Sequence, residues 1–427
     1  MTLLRRIRVG LLVLLLMVGL WYFPPLHSRL AWRVDELRAR IRLALNPPDA
    51  LTFRPQATLI PTLPPPQVTR RQQFPPIASP TATPLLPTPT PLPLPPIVAL
   101  SGIRYENQFN RWNYCGPANF SMALTFWGWK GDRDVIGRAL KPSDKDKNVM
   151  PYEFRDYVAE NVPGMKVLIR VGGDLDVIKR LLAGGYPVVA EKGYYERDYT
   201  GKIGWMGHYQ FITGYDDTAG VLIVQDTYRD GPDFRLPYEK FIEGWRSFNY
   251  LFLVAFPLER ENEVLTLLGD YANETWAIQH ALQVAQEEAR TLNGIDQFFA
   301  WFNVGSSHVA LREYVDAAYA YDFAFQLYNQ LPTDNTSRPY RMMWYQTGPY
   351  WAYYYSGRYA DVISLATITL QTPTDGAVLE ESLLWRGRAY LMTGQRKAAI
   401  DDFRAALKVH PAWVPALQAL QEIGAVP

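Results

Sequence analysis

Proline constrains this chain more than any other residue. Residues 47–97 hold 17 of its 34 prolines, in stretches such as PTLPPPQ and SPTATPLLPTPTPLPLPP. Each proline fixes φ and removes a backbone donor, so the segment cannot build a hydrogen-bonded core; it reads as an extended, semi-rigid stalk. At about 3.1 Å per residue its upper reach is on the order of 150 Å. The stalk divides the 427 residues into a short N-terminal part, 1–46, and a long part from Val98 onward.

The N-terminal part opens with Arg5, Arg6 and Arg8 and continues into an uncharged apolar run, Val9 to Phe23. At about 1.5 Å per residue the run spans roughly 22 Å, short of a hydrocarbon core of about 30 Å. It fits either the apolar region of a signal peptide or a short membrane anchor. Trp21, Tyr22, Phe23, Pro24 and Pro25 follow instead of a small-residue cleavage site. The expectation is therefore an uncleaved, single-pass anchor with aromatic residues at an interface. Arg29, Arg33, Arg38, Arg40 and Arg42 flank its other end, so charge does not fix the orientation. Leu26, Leu30, Val34, Leu37, Ile41 and Leu45 recur at helical spacing. That apolar face either lies on the membrane or packs on a partner or on itself. An anchor followed by a stalk holds a folded part away from a surface, which points to the outside of the cell.

From Val98 the chain can fold. Residues 98–258 alternate strand-like runs (YPVVAEKGY, HYQFITGY, GVLIVQD, YLFLVAF) with helix-like ones (NFSMALTFWGW, LDVIKRLLAGG), an α+β pattern. Residues 259–427 lose the strand signals and read as all-α. A net charge of +1 carries no footprint of a nucleic-acid partner. The single cysteine excludes an internal disulfide and a multi-cysteine zinc site.

The helical half repeats. In SLLWRGRAYLMTGQRKAAIDDFRAALKVHP, residues 382–411, the spacing of Gly387, Tyr390, Gly394, Ala399, Phe403, Ala406 and Pro411 resembles the tetratricopeptide repeat. Small residues let two antiparallel helices approach, and large ones fill between neighbouring units. A second copy carries Trp301, Gly305, Ala317, Tyr321 and Ala324; a weaker one is centred on Gly357. LLGDYANETWAIQHALQVAQEEA reads as a degenerate fourth, and AWVPALQALQEIG as a capping helix. Such a stack binds a peptide or protein partner in its groove, or else only braces the α+β part. As a separate unit it is expected to fold alone.

Cys115 lies in RWNYCGPANFSMAL, just before Gly-Pro and a helix-like run. It is either a small buried hydrophobe or a nucleophile. Pro117 suits a first helical turn, so Cys115 is expected at a helix N-terminus, where the macrodipole favours a thiolate. Of five histidines only His208, in MGHYQFITGYDD, falls in the α+β part. A helix-borne cysteine and a strand-borne histidine are what a papain-like site requires. The run GHYQFITGYDDTAGVLIVQDTY reads as a hairpin turning at Asp216–Gly220. With Tyr215 opposite Val221, Asp226 falls opposite Gln210 on the face of His208, and a slip of one residue would turn it away. Gln108 is the candidate oxyanion donor, with Asn107, Asn110 and Asn113 as rivals.

Together YENQFNRWNYCGPANFSMAL, LLAGGYPVVAEKGY, GHYQFITGYDD and VLIVQDTY resemble the bacteriocin-processing, double-glycine-leader peptidase-like family of the papain-like cysteine peptidase superfamily, over about residues 102–257. The resemblance implies Cys115 as nucleophile, His208 as base and acid, Asp226 as orienter and Gln108 as oxyanion donor. It implies no cofactor and no metal. Unlike the transporter-fused members, this chain has no phosphate-binding Gly-x-x-x-x-Gly-Lys motif and no run of membrane spans, so it is more like the stand-alone members. The expected function is a membrane-anchored cysteine peptidase acting on a peptide or protein. Acyl transfer by the same thioester chemistry, or a non-catalytic peptide-binding module, are the alternatives.

Overall fold

The computed structural model describes residues 41, 51–56, 93–111, 113–143, 146, 148–197, 203–334, 336–372 and 379–427. The expected anchor lies outside them, as do most of the amphipathic helix and of the stalk. No helix among the described residues is long and apolar enough to cross a membrane.

The α+β part is built on one seven-stranded antiparallel sheet: β1 (Ile97–Ala99), β2 (Met165–Arg170), β3 (Val188–Arg197), β4 (Ile203–Asp216), β5 (Val221–Gln225), β6 (Phe234–Pro237) and β7 (Phe252–Pro257). The spatial order is β2-β7-β3-β4-β5-β6, with β1 paired to the turn end of β4. Strand alternation gives it two apolar faces. On one, Val167, Val189, Tyr209, Phe211 and Leu253 meet α1 (Cys115–Phe126), α2 (Arg133–Leu140) and α3 (Pro151–Asn161). On the other, Val188, Ile212, Leu222, Val254 and Phe256 meet α4 (Leu175–Ala183), α5 (Tyr238–Arg246) and α6 (Glu261–Leu268). Asp132 and Asp174 cap α2 and α4 by accepting from first-turn N–H groups.

The β4–β5 register differs from the simple hairpin at the turn. Asp216 pairs with Val221 and Tyr215 with Leu222, one residue off the expected pairing. A bulge between Ile212 and Gly214 places an extra residue on β4, and beyond it Ile212 pairs with Val224 and Phe211 with Gln225. The two offsets cancel, and Asp226 returns to the His208 face.

The helical part comprises α7 (Glu274–Thr291), α8 (Gly294–Ala310), α9 (Tyr314–Gln330), α10 (Met342–Tyr345), α11 (Gly348–Tyr355), α12 (Tyr359–Gln371), α13 (Glu380–Met392), α14 (Arg396–Val409) and α15 (Val414–Glu422). Helices α8/α9, α11/α12 and α13/α14 pair at the repeats read from the sequence, and α15 packs on the last pair. A β-carbon on Gly305 would sit 2.7 Å from the Tyr321 ring, and one on Gly387 2.5 Å from the Phe403 ring; glycine allows the close approach. The fourth unit is not a helix pair. Its sequence forms the end of α6, a short 3-10 turn and the single helix α7, whose Ala277, Ala281, Ala285 and Ala289 step by four and are buried. Ala285 and Ala289 lie against α8, while Ala277 and Ala281 face the α+β part.

The two parts share a core, contrary to the expectation of an independent helical domain. Trp205 and Phe248 of the α+β part belong to one buried cluster with Phe298, Phe299 and Phe302 of α8 and Tyr321 of α9. Arg341 donates to the Trp205 carbonyl at 3.0 Å and Gln346 to that of Ser247 at 2.6 Å. Phe53, from the segment read as stalk, joins the same cluster. Residues 51–56 hold one proline, Pro55, so their aromatic side chain and backbone donors are free to dock.

Candidate active site

Helix α1 begins at Cys115 itself, with Tyr114 at its N-cap. Its first N–H groups have no acceptor within the helix, so the thiol lies in their field. Residues Gly116 to Leu124 are all buried, which sets α1 rigidly on the sheet. A β-carbon on Gly116 would lie 3.0 Å from the Phe154 ring, so the residue after the cysteine has little space for a side chain. On the other side Gly137 of α2 admits the Tyr114 ring, which a β-carbon would meet at 2.2 Å. Cys115 is half-buried.

His208 stands on β4 and is 5% exposed; Asp226, just past β5, is 1% exposed. Nε2 of His208 lies 3.2 Å from Oδ2 of Asp226, and Cys115 is close enough for the thiol and the imidazole to shift each other's charge. With Nε2 on the carboxylate, Nδ1 is the nitrogen available to sulfur. Asp226 is itself held from several sides. Gln210 donates Nε2 to its Oδ2 at 3.2 Å, and the N–H groups of Tyr228 and Arg229 donate to its Oδ1 at 2.9 and 2.8 Å. Asp216 and Asp217 are elsewhere: the first pairs with Arg235 and the second with Lys179 and Tyr238.

These contacts set the charges. Burial alone would raise the Cys115 thiol, but the hydrogen bond and charge of His208, the Tyr209 N–H and the Lys141 ammonium bring it below its ordinary value. Burial pulls His208 down, yet Asp226 and Cys115 together hold it up at about 9. Burial also opposes ionisation of Asp226, and His208 with the two turn N–H groups overrides it, leaving the carboxyl well below the usual range. The arrangement favours a thiolate–imidazolium pair beside a fixed carboxylate. Glu191, 2% exposed on β3, is pushed well above the usual carboxylate range by burial and by the charge of Cys115.

Gln108 is buried next to this group. Its N–H donates to the Thr227 carbonyl at 2.8 Å, and its Oε1 accepts from the Thr227 hydroxyl at 2.9 Å. The rivals serve the loop. Asn107 accepts from Phe109 N–H and the Arg133 guanidinium, Asn113 donates to the Asp146 carbonyl, and Asn110 takes φ 65° at the exposed turn.

Three residues at the site were given no role by the sequence reading. Gln210 follows His208 by two, the strand period. Asn119 follows Cys115 by four, the helix period, and donates to the carbonyls of Cys115 and Tyr209 at 2.9 and 2.8 Å and to the Thr227 hydroxyl at 3.2 Å. Tyr345 comes from α10, far along the chain. A β-carbon on Gly207 would lie 2.9 Å from its ring, and its buried phenol feels the charge of Cys115. No local pattern could have announced it. Among the described residues one group, His308, Glu313 and Asp316, has ligand atoms close enough to share a metal ion, and it lies at the α8–α9 turn rather than with Cys115.

The comparison with curated proteins gives no match. Among solved structures, a Bacillus anthracis chain assigned as a C39-like peptidase is similar at 16% identity with a TM-score of 0.30. The alignment covers 38% of this chain and 97% of that one. Residues 100–252, the stretch that carries Gln108, Cys115, His208 and Asp226, match the Peptidase_C39 like family.

Proposed function

We propose that the chain is a papain-like cysteine peptidase in which Cys115, His208 and Asp226 act as a triad and Gln108 completes an oxyanion site. The observation that carries this reading is the His208 imidazole, 3.2 Å from the Asp226 carboxylate and close enough to Cys115 for each to shift the other's charge. The thiolate of Cys115 attacks the scissile carbonyl carbon; a C–S bond forms and the electron pair moves to oxygen. The Cys115 N–H and Gln108 Nε2 donate to that oxygen. As the C–N bond breaks, His208 gives its proton to the leaving amine. It then takes one from water, which attacks the thioester and releases Cys115. Asp226 stays ionised throughout and steadies the imidazolium. The match of residues 100–252 to the Peptidase_C39 like family supports the same chemistry.

In this reading the N-terminal segment anchors the enzyme in the cell membrane with its folded part outside, and the stacked helices, of tetratricopeptide type, recruit a peptide or protein. Cys115→Ala is the decisive variant. Screened against a peptide library, the wild-type chain should cleave and the variant should not, with unfolding free energies within about 2 kcal/mol because little volume is lost. Equal turnover by both chains overturns the assignment.

A further inference from the structure

Residues 51–56, Leu-Thr-Phe-Arg-Pro-Gln, are seated on the helical part. Phe53 is 3% exposed, with its ring edge-on to Phe325 of α9 at 4.9 Å between centroids and tilted against Tyr353 of α11 at 5.8 Å. Asn329 of α9 donates Nδ2 to the Phe53 carbonyl at 2.9 Å. Three residues on, the Gln56 N–H donates to Oδ1 of Asp361 at 2.8 Å, and the Gln56 carbonyl accepts from Arg358 at 3.3 Å. Asp361 is 2% exposed, and Arg358 braces it at 2.7 Å while also holding Asp322 at 2.7 Å. The polar clamp is thus preorganised. It reads one aromatic side chain and backbone groups of two residues, whereas the Arg54 side chain is exposed.

Two features make this segment an incomplete ligand. The apolar hollow beside Phe53 is walled by Leu51 and Phe53 themselves together with Tyr328, Met342, Leu365 and Ile368, and the six residues leave it open on one side. Oδ1 of Asn329 is buried and has no hydrogen-bond partner among the described residues. A segment with a larger aromatic side chain, or with an N–H aimed at that oxygen, satisfies more of the site.

We infer that the groove between α9, α11 and α12 is a peptide-recognition site that the chain fills in cis with Leu51–Gln56, and that its partner is an extended segment of the form aromatic-x-x-(any residue but proline), which displaces it. The last position must keep its N–H for Asp361. Displacement frees residues 51–56 and lengthens the tether between the N-terminal part and the folded part, so partner binding is coupled to the reach of the stalk. None of this depends on the chemistry at Cys115.

A tethered segment competes at an effective concentration in the millimolar range, which weakens the apparent affinity of a partner by the fraction of grooves left open. The test uses a fluorescein-labelled peptide of residues 49–59 and the full chain, followed by anisotropy. The Phe53→Ala chain should bind the peptide at least about tenfold more tightly than the wild type. Gln56→Pro in the full chain removes the donor to Asp361 while keeping Phe53, and should give the same gain, so a folding defect in one variant does not decide the result. The peptide with proline in place of its glutamine should bind neither variant. Equal affinity of wild type and both variants, no binding to any chain, or undiminished binding of the proline peptide each overturns the inference.

Discussion

Asp226 has two separable tasks at the residue scale. Oδ2 faces His208, and Oδ1 closes the turn that follows β5 by accepting from Tyr228 and Arg229. Asp226→Ala removes both, so turnover should fall by about 10²–10⁴-fold and stability by about 1–2 kcal/mol. Asp226→Asn keeps one acceptor oxygen, enough for the turn N–H groups or for the imidazole but not for both, and loses the charge that steadies the imidazolium. It should be less stable than wild type and slower, though less damaged on both counts than the alanine variant. Asp216→Ala, at the far end of the hairpin, should leave turnover unchanged. Peptide turnover and chemical denaturation of the three variants check this; a silent Asp226→Ala would remove the residue from the site. The charges predict a pH profile as well. The thiol sits below its usual value and His208 at about 9, so the reactive ion pair exists between those limits. Iodoacetamide should therefore label Cys115 rapidly near pH 6, and turnover should fall as pH rises through about 9. The stability linked to His208 has the same sign. Its folded pKa is raised above the ordinary 6.5, so the contribution is complete below 6.5 and is lost as pH rises through about 9.

Among the elements, the helix pairs use glycine in two ways: Gly357 and Gly394 take positive φ between helices, whereas Gly305 and Gly387 allow close contact with an aromatic ring. An exposed helical Gly→Ala change usually stabilises by up to about 1 kcal/mol. At Gly387 the sign should reverse, because the added carbon meets the fully buried Phe403 ring at 2.5 Å. Gly387→Ala should lower stability by about 1–3 kcal/mol, and adding Phe403→Leu should recover part of it. Thermal unfolding of the single and double variants measures both. The repeat spacing made this pair legible in the sequence, since Gly387 and Phe403 both belong to the pattern. The reading of a fourth unit failed because a stripe of alanines at every fourth position looks alike whether its partner helix belongs to the same unit or, as with α7 and α8, to the next.

For the whole molecule the shared core is decisive. Separating residues 98–258 from the helices would expose Trp205 and Phe248 and strand the hydrogen bonds that Asn249 makes to Ser307 and Arg246 to Glu288. The full chain should unfold in one cooperative transition, with the fast labelling of Cys115 and helical circular dichroism lost together. The isolated 98–258 fragment should aggregate or bind a hydrophobic dye. A soluble fragment that keeps fast Cys115 labelling would show that the helices are a separable appendage.

Local chemistry in the sequence determined several features. Gly-Pro after Cys115 starts a helix at the thiol, and period-two alternation marks β4 and β5. Each depends on neighbours in the chain, so each is written in the chain. The pairing of His208 with Asp226 was only half legible, because the register at the turn is off by one and the bulge at Ile212–Gly214 restores it. That compensation is a property of two strands together. Tyr345 beside Gly207, the fused core under Trp205, and Phe53 in the helical groove were decided by tertiary structure alone. Apolar burial carries no direction along the chain, and what covers an aromatic ring is set by whichever surface the finished fold brings against it.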